Sequence, residues 1–190
     1  MNLNFCIFCS SSNSLENIYY EDARKLGELI GKNHCNIIHG GGKIGIMGEI
    51  ARAVQKNGGK VTGVLPESLK IKGIISETDD KIIITKDMHT RKVEMRKDAD
   101  VFVALPGGFG TLDEVSEVIS LKQLGYHSKP IIFLNTNNFY NYLLKFYEEF
   151  YTQLFANSDN RDFYHIANTP ENVLNYVINY KHKPFKKKYS

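Results

Sequence analysis

Three short stretches of this sequence combine residue types that hold an anion or move charge. The densest is Pro106-Gly107-Gly108-Phe109-Gly110-Thr111, which follows an all-apolar run and precedes a helical pattern. Glycines let a backbone turn tightly and bring bare amides close to a ligand. A helix start adds unpaired N–H groups and the positive end of a dipole, so a phosphate suits the cradle. A plainer reading exists for the same residues, in which Thr111 and Glu114 form a T-x-x-E capping box. The second stretch is Gly40-Gly41-Gly42-Lys43-Ile44-Gly45. It contains G-x-G-x-x-G with Glu67 about twenty residues on, the pattern of a dinucleotide fingerprint. It is no P-loop, because Ile44 follows Lys43 where serine or threonine would take magnesium. Two such loops on one sheet, with Gly41 and Gly42 in the first and Gly107, Gly108 and Gly110 in the second, suit a mononucleotide held by its phosphate.

The third stretch, residues 87–97, reads as a helix with Met88, Arg91, Lys92 and Met95 on one face. An unpaired guanidinium on a buried face is costly. Such a face makes sense if Arg91 meets a carboxylate or phosphate while the methionines pack on a flat ring. The alternative is a partly exposed helix with Arg91 in solvent. His89 stands beside this face, in reach of a substrate. Cys6 and Cys9 lie three apart on a strand and so face opposite ways; with no second pair they read as structural thiols. The six histidines show no metal-binding spacing, and no G-x-S-x-G elbow occurs. Neither a metal nor a cofactor is expected.

The elements that must carry these groups alternate. Short apolar runs at 3–8, 35–38, 61–65, 81–85, 101–105 and 131–134 read as strands. Helical patterns fill 18–32, 46–57, 87–97, 111–124 and 138–155, and a last helix opens at Thr169-Pro170. Residues 67–80 read as a surface excursion. Continuous apolar strands separated by helices mean a mostly parallel sheet covered on both faces, a Rossmann-like, doubly wound α/β fold. Ligands in such sheets bind at the carboxyl ends of the strands.

The 190 residues suit one domain, drawn here as 1–180, followed by a basic tail at 181–190. At 42% hydrophobic and 24% charged the chain is globular rather than disordered. The net charge of +3 misleads, because the last ten residues hold five lysines and no acid. Without them 19 basic face 21 acidic residues, and no basic face for nucleic acid is apparent. No apolar run reaches the 18 or so residues of a membrane span, and the first residues lack the features of a secretory signal. Three cysteines fit a reduced, cytoplasmic setting.

Taken together, Phe8-Cys9-Ser10-Ser11-Ser12, Gly40-Gly41-Gly42-x-x-Gly45-x-Met47-Gly48, Met88-His89-x-Arg91-Lys92-x-x-Met95 and Pro106-Gly107-Gly108-x-Gly110-Thr111-x-x-Glu114 resemble the Lonely Guy family of cytokinin riboside 5′-monophosphate phosphoribohydrolases. The resemblance runs from about residue 4 to residue 155. It implies a homodimer that hydrolyses the N-glycosidic bond of N6-modified AMP, without metal or redox cofactor. It also implies Arg91 and Glu114 as the catalytic pair, with Glu77, Lys92, Gly107 to Thr111 and Ser120 as substrate contacts. Two positions depart from the family pattern: Ser10 stands where glycine is usual, and Gly73 where a glutamate is usual. The other readings are a general AMP phosphoribohydrolase, a non-catalytic carrier like the molybdenum-cofactor proteins, and a nicotinamide-dependent enzyme resting on G-x-G-x-x-G alone.

Overall fold

The computed structural model describes residues 1–71 and 73–182. Residues 183–190, and with them most of the expected basic tail, lie outside the described residues. Runs of isoleucine, valine and phenylalanine form seven strands: β1 (Asn4–Phe8), β2 (Asn36–His39), β3 (Val61–Pro66), β4 (Lys81–Thr85), β5 (Val101–Ala104), β6 (Ile131–Leu134) and β7 (His165–Ala167). They pair in parallel in the order β4-β3-β2-β1-β5-β6-β7. Between them run α1 (Asn17–Lys32), α2 (Gly45–Lys56), α3 (Met88–Lys97), α4 (Phe109–Gln123), α5 (Asn141–Thr152) and α6 (Pro170–Asn179).

Side chains alternate across each strand, so the sheet has an apolar core on either face. Phe5, Ile7 and Val103 meet Leu26 and Ile30 of α1, Ile50 of α2 and Val173 of α6. On the other face Cys6, Phe8 and Phe102 meet Met95 of α3, Val115 and Val118 of α4 and Tyr147 of α5. This is the doubly wound, Rossmann-like sandwich expected. Cys6 and Cys9 fall in opposite cores, both buried and free. Thr169 caps α6 by accepting from Asn172 N–H, with Pro170 in its first turn.

The structure corrects two helix boundaries and adds a strand. The helix expected at 138–155 is shorter, because Asn137 and Asn138 stand at φ of 51° and 60° and Leu154 at 62°; α5 occupies only the interval between them. Strand β7 was not anticipated, since three residues are too few to show a period. Helix α4 begins at Phe109 rather than Thr111. The capping box is therefore not formed: Gly108 is the N-cap, and Thr111 and Glu114 are both buried inside the helix.

Candidate functional site

The connections step outward from β1 through β2 and β3 to β4, then return to place β5 on the other side of β1. That reversal opens a crevice at the carboxyl ends of β1 and β5, where the singled-out loops meet. Ser10 N–H donates to Pro106 O at 3.3 Å, and Met47 N–H donates to Ser10 O at 3.2 Å. Gly45 N–H donates to Asn13 Oδ1 at 2.8 Å. The Ser10 hydroxyl, at the first departure from the family pattern, accepts from Ser12 N–H at 3.0 Å and shapes the loop after β1.

These contacts separate the two glycine loops. The start of α2 is already capped by the β1 loop, and Gly42 N–H points at Met47 Sδ, 3.3 Å away. The carbonyl of Gly41 accepts from Ser76 N–H at 2.8 Å. Gly41 and Gly42 thus build the loop itself, and the G-x-G-x-x-G pattern presents no row of bare amides to a dinucleotide. The start of α4 differs. No side chain caps Gly108, and the first internal bond there runs from Leu112 N–H to Gly108 O at 3.0 Å. The amides before Leu112 have no acceptor within the helix.

Glycine serves two purposes at this second loop. A Cβ on Gly107 would stand 2.1 Å from Thr111 Oγ1, so packing forbids one. A Cβ on Gly108 or Gly110 would meet nothing within 4 Å, and neither has positive φ. Neither packing nor conformation accounts for these two. Both leave the amides of this turn open to approach.

Beside the loop, Arg91 and Glu114 meet in a buried ion pair, with Arg91 Nη1 2.5 Å from Glu114 Oε1. Their side chains are 8% and 10% exposed, which rejects the solvent-exposed alternative for Arg91. Arg91 Nε donates to Val64 O at 3.0 Å, fixing the guanidinium to the end of β3. Its Nη2 lies against Gly40, where a Cβ would be 2.4 Å away; only glycine admits it. Among the described residues nothing bonds Glu114 Oε2. Burial pushes the Glu114 carboxyl above its ordinary 4.5, and Arg91 offsets this only in part. Glu114 is the sixth residue of α4, where desolvation outweighs what the helix dipole contributes to keeping a carboxylate ionised.

The other expected contacts fall at varied distances from this pair. Lys92 Nζ is held by Asp113 at 3.0 Å and Glu117 at 3.3 Å, and Arg96 also binds Glu117 at 2.6 Å. That ladder ties α3 to α4. Met88 is half-exposed at the start of α3, where Asp87 caps the helix by accepting from Thr90 N–H, and His89 is exposed beside it. Met95 is buried in the core instead. Glu77 is exposed, on the segment that crosses the first glycine loop. Ser120 lies on the face of α4 turned away from Glu114, where it lines an apolar cavity of about 320 Å³ with Leu112, Phe146 and Phe150. Gly73, the second departure, has φ +91°; the turn there favours glycine, and a glutamate would be strained. Sequence reasoning missed the Lys92 ladder, although the i, i+4 spacing of Asp113 and Glu117 on one helix face was there to be read.

Comparison with known proteins follows the same lines. The family described as "Possible lysine decarboxylase" matches residues 47–177. The chain is 44% identical over 144 residues to cytokinin riboside 5′-monophosphate phosphoribohydrolase LOG5 of Arabidopsis thaliana, a match covering 76% of this chain and 63% of that protein. It is thus shorter than that relative, spanning less than two thirds of it. It is 38% identical over 175 residues to the probable cytokinin riboside 5′-monophosphate phosphoribohydrolase LOGL2 of Oryza sativa, covering 92% of this chain and 72% of that one. In fold it is similar to the molybdenum cofactor binding protein of Rippkaea orientalis, with a TM-score of 0.70 at 24% identity over 94% of this chain and 96% of the other.

Proposed function

The chain belongs to the cytokinin riboside 5′-monophosphate phosphoribohydrolase family, and from that premise we propose that it hydrolyses the N-glycosidic bond of an N6-modified adenosine 5′-monophosphate. The observation that carries the reading is the juxtaposition of a buried Arg91–Glu114 pair with an uncapped helix start whose Gly108 and Gly110 face open space. The amides of Phe109, Gly110 and Thr111 anchor the 5′-phosphate as a remote handle. Binding energy gained there positions the reacting bond.

Cleavage passes through an oxocarbenium-like ribose. The C1′–N9 bond breaks with its electrons going to the base, and water adds at C1′. Of the water's atoms, the hydroxyl ends on ribose 5-phosphate and the proton on the departing base. Glu114 supplies the carboxylate that faces the developing positive charge and orients the water through Oε2. Arg91 holds Oε1 and so fixes the carboxylate's orientation. Lys92, through Asp113 and Glu117, keeps α3 and α4 in register around the pair. Met88 and Glu77, at the rim, are assigned to the base and ribose.

A decarboxylase of the kind named by the family description would work through pyridoxal phosphate on a deprotonated lysine. The residues do not fit that group: Lys122, which burial lowers to about 8, is taken up by the carbonyls of Lys129 and Phe163, and Lys92 is held protonated. For Lys92, burial favours loss of the proton, but Asp113 and Glu117 outweigh it and raise the ammonium above its ordinary 10.5.

We also infer a homodimer in the cytoplasm. In support, the face between α4 and α5 exposes Phe146 and, beyond it, Leu154 and Phe155, large apolar side chains that a second copy would cover. A second copy covering that face would also enclose Ser120. Three buried free thiols suit a reducing compartment. No helix among the described residues is long and apolar enough to cross a membrane.

The test is chromatographic. Purified protein is incubated with a panel of nucleoside 5′-monophosphates, isopentenyladenosine monophosphate and AMP among them, and free bases are measured. Release of the N6-modified base, abolished in Glu114→Gln, is expected. Equal release of adenine from AMP would make the enzyme a general nucleotide phosphoribohydrolase, and no release from any would overturn the reading.

A further inference from the structure

Residues 74–80 form no helix and only an isolated bridge, yet they are tied firmly across the first glycine loop. Beneath them lies a buried histidine–carboxylate contact. His39, the last residue of β2, and the Asp79 side chain are both fully buried, with His39 Nε2 2.7 Å from Asp79 Oδ2. The second carboxylate oxygen, Oδ1, accepts from Ser76 Oγ at 2.5 Å. The contact is a hydrogen bond to an accepting carboxylate when His39 has its proton on Nε2. His39 Nδ1 is the one fully buried side-chain nitrogen or oxygen among the described residues with no partner. Unsatisfied buried groups of this kind are rare and costly. A leucine at position 39 would fill the space without that cost, so packing alone does not explain a histidine.

What the contact holds is plain from the backbone. Ser76 N–H donates to Gly41 O and Lys43 N–H donates to Ile74 O, each at 2.8 Å, and Gly42 bridges Ile75. The carboxylate has room only because position 63 is glycine: a Cβ there would stand 2.5 Å from Asp79 Oδ2. On the far side Gln55 Nε2 donates to Thr78 O at 2.6 Å, and Val61 N–H donates to Asp80 Oδ2 at 2.9 Å. The loop that receives Arg91 Nη2 at Gly40 thus receives this segment at Gly41 to Lys43.

We propose that His39 is a positioning residue for the substrate cleft: acting through Asp79 and Ser76, it pins residues 74–80, with Glu77, against the Gly41–Lys43 loop. Its kinetic consequence rests on the phosphoribohydrolase reading. Arg91 and Glu114 are fixed separately, by Val64 and by each other. Losing the pin therefore weakens substrate binding more than bond cleavage.

The test uses two variants and two readouts. His39→Leu/Asp79→Leu removes the pair together, a replacement that folds often tolerate. Amide exchange at Lys43 and Ser76 is expected to quicken at least about tenfold while that of Val103 in the core is unchanged. KM for the accepted monophosphate rises by about tenfold with kcat within about threefold. Ser76→Ala leaves the pair whole and puts no fold at risk; it shows the same pattern at about threefold. His39→Gln, whose amide keeps a donor toward Asp79, restores wild-type exchange and KM. Unchanged exchange at Lys43 and at position 76, in Ser76→Ala and in the folded double variant, overturns the proposal; if the double variant does not fold, Ser76→Ala decides alone. Should wild-type protein release no base, the functional reading fails, while exchange still decides the pin.

Discussion

Gly110→Ala separates a glycine kept for the ligand from one kept for the fold. The new methyl meets nothing within 4 Å, and the residue sits in the first turn of α4 with no positive φ. Alanine is favoured over glycine in helices by up to about 1 kcal/mol, so the variant should be slightly more stable. At about 2–4 °C per kcal/mol for a chain this size, Tm rises by a few degrees at most. The methyl occupies the space through which a phosphate oxygen must come to within about 2.9 Å of an amide. Losing one charge-assisted hydrogen bond of about 1.5–3 kcal/mol lowers kcat/KM about tenfold to a hundredfold. The assay compares the monophosphate with its dephosphorylated riboside in wild type and variant. Only the monophosphate should lose turnover. An equal loss on both, or none on either, would refute the phosphate anchor. Gly107→Ala is the control: its methyl collides with Thr111 Oγ1, and stability falls by about 1–3 kcal/mol.

The other expectations concern the ion pair and the exposed face. Arg91→Leu leaves a buried carboxylate without its partner and should cost about 3–5 kcal/mol in denaturant unfolding; a loss under 1 kcal/mol would show the pair to be solvated. Arg91→Met/Glu114→Leu should regain most of that stability while remaining inactive, as melting and base-release assays on the same preparation will tell. If ionised Glu114 is required, kcat/KM falls as pH drops through its raised pKa, so the acid limb of the pH profile lies above 4.5. For folding the sign is opposite: this group's contribution is greatest below its unfolded value and is lost as pH rises through the folded one. Phe146→Glu, at a position 58% exposed, should change monomer stability by no more than about 0.5 kcal/mol yet halve the mass seen by light scattering. An unchanged mass would remove the α4–α5 face as the dimer contact.

How much of this was legible in sequence depended on whether the signal was local. The strands at 81–85 and 131–134 show their limits in composition alone and were read as they stand. Arg91 could be seen as anomalous because the cost of a buried guanidinium is a rule about one residue. Its partner Glu114 was misplaced within its helix, because T-x-x-E after glycine reads as a cap wherever the helix begins. The structure starts the helix two residues earlier, with Gly108 as N-cap and Leu112 N–H donating to Gly108 O, so Glu114 lies inside it and faces Arg91. His39 and Asp79 gave no signal at all. They are forty residues apart, and each alone is an unremarkable polar residue beside a turn. Ser120 was matched by position along α4, but six residues carry its side chain about 120° around the helix from Glu114, onto the face of the apolar cavity, which spacing to a motif does not convey.

The Arg91–Glu114 pair poses an energetic question that bears on its purpose. A buried ion pair contributes little net stability, and well-packed apolar residues often do as well or better. The alignment of α3 with α4 does not depend on it, because Lys92 and Arg96 bind Asp113 and Glu117 across the same pair of helices closer to solvent. Met95 and Val118 already supply apolar contact between those helices and the sheet. Stability and alignment are thus provided by neighbours, and the pair adds to neither what a methionine and a leucine would not. What it does add is a desolvated carboxylate of raised pKa, oriented on one oxygen and unbonded by the described residues on the other, beside amides at a helix start that have no acceptor within the helix. Such a group, kept where apolar residues would fit, supports the proposed chemistry, in which the carboxylate stabilises positive charge on a sugar whose phosphate sits one helix turn away.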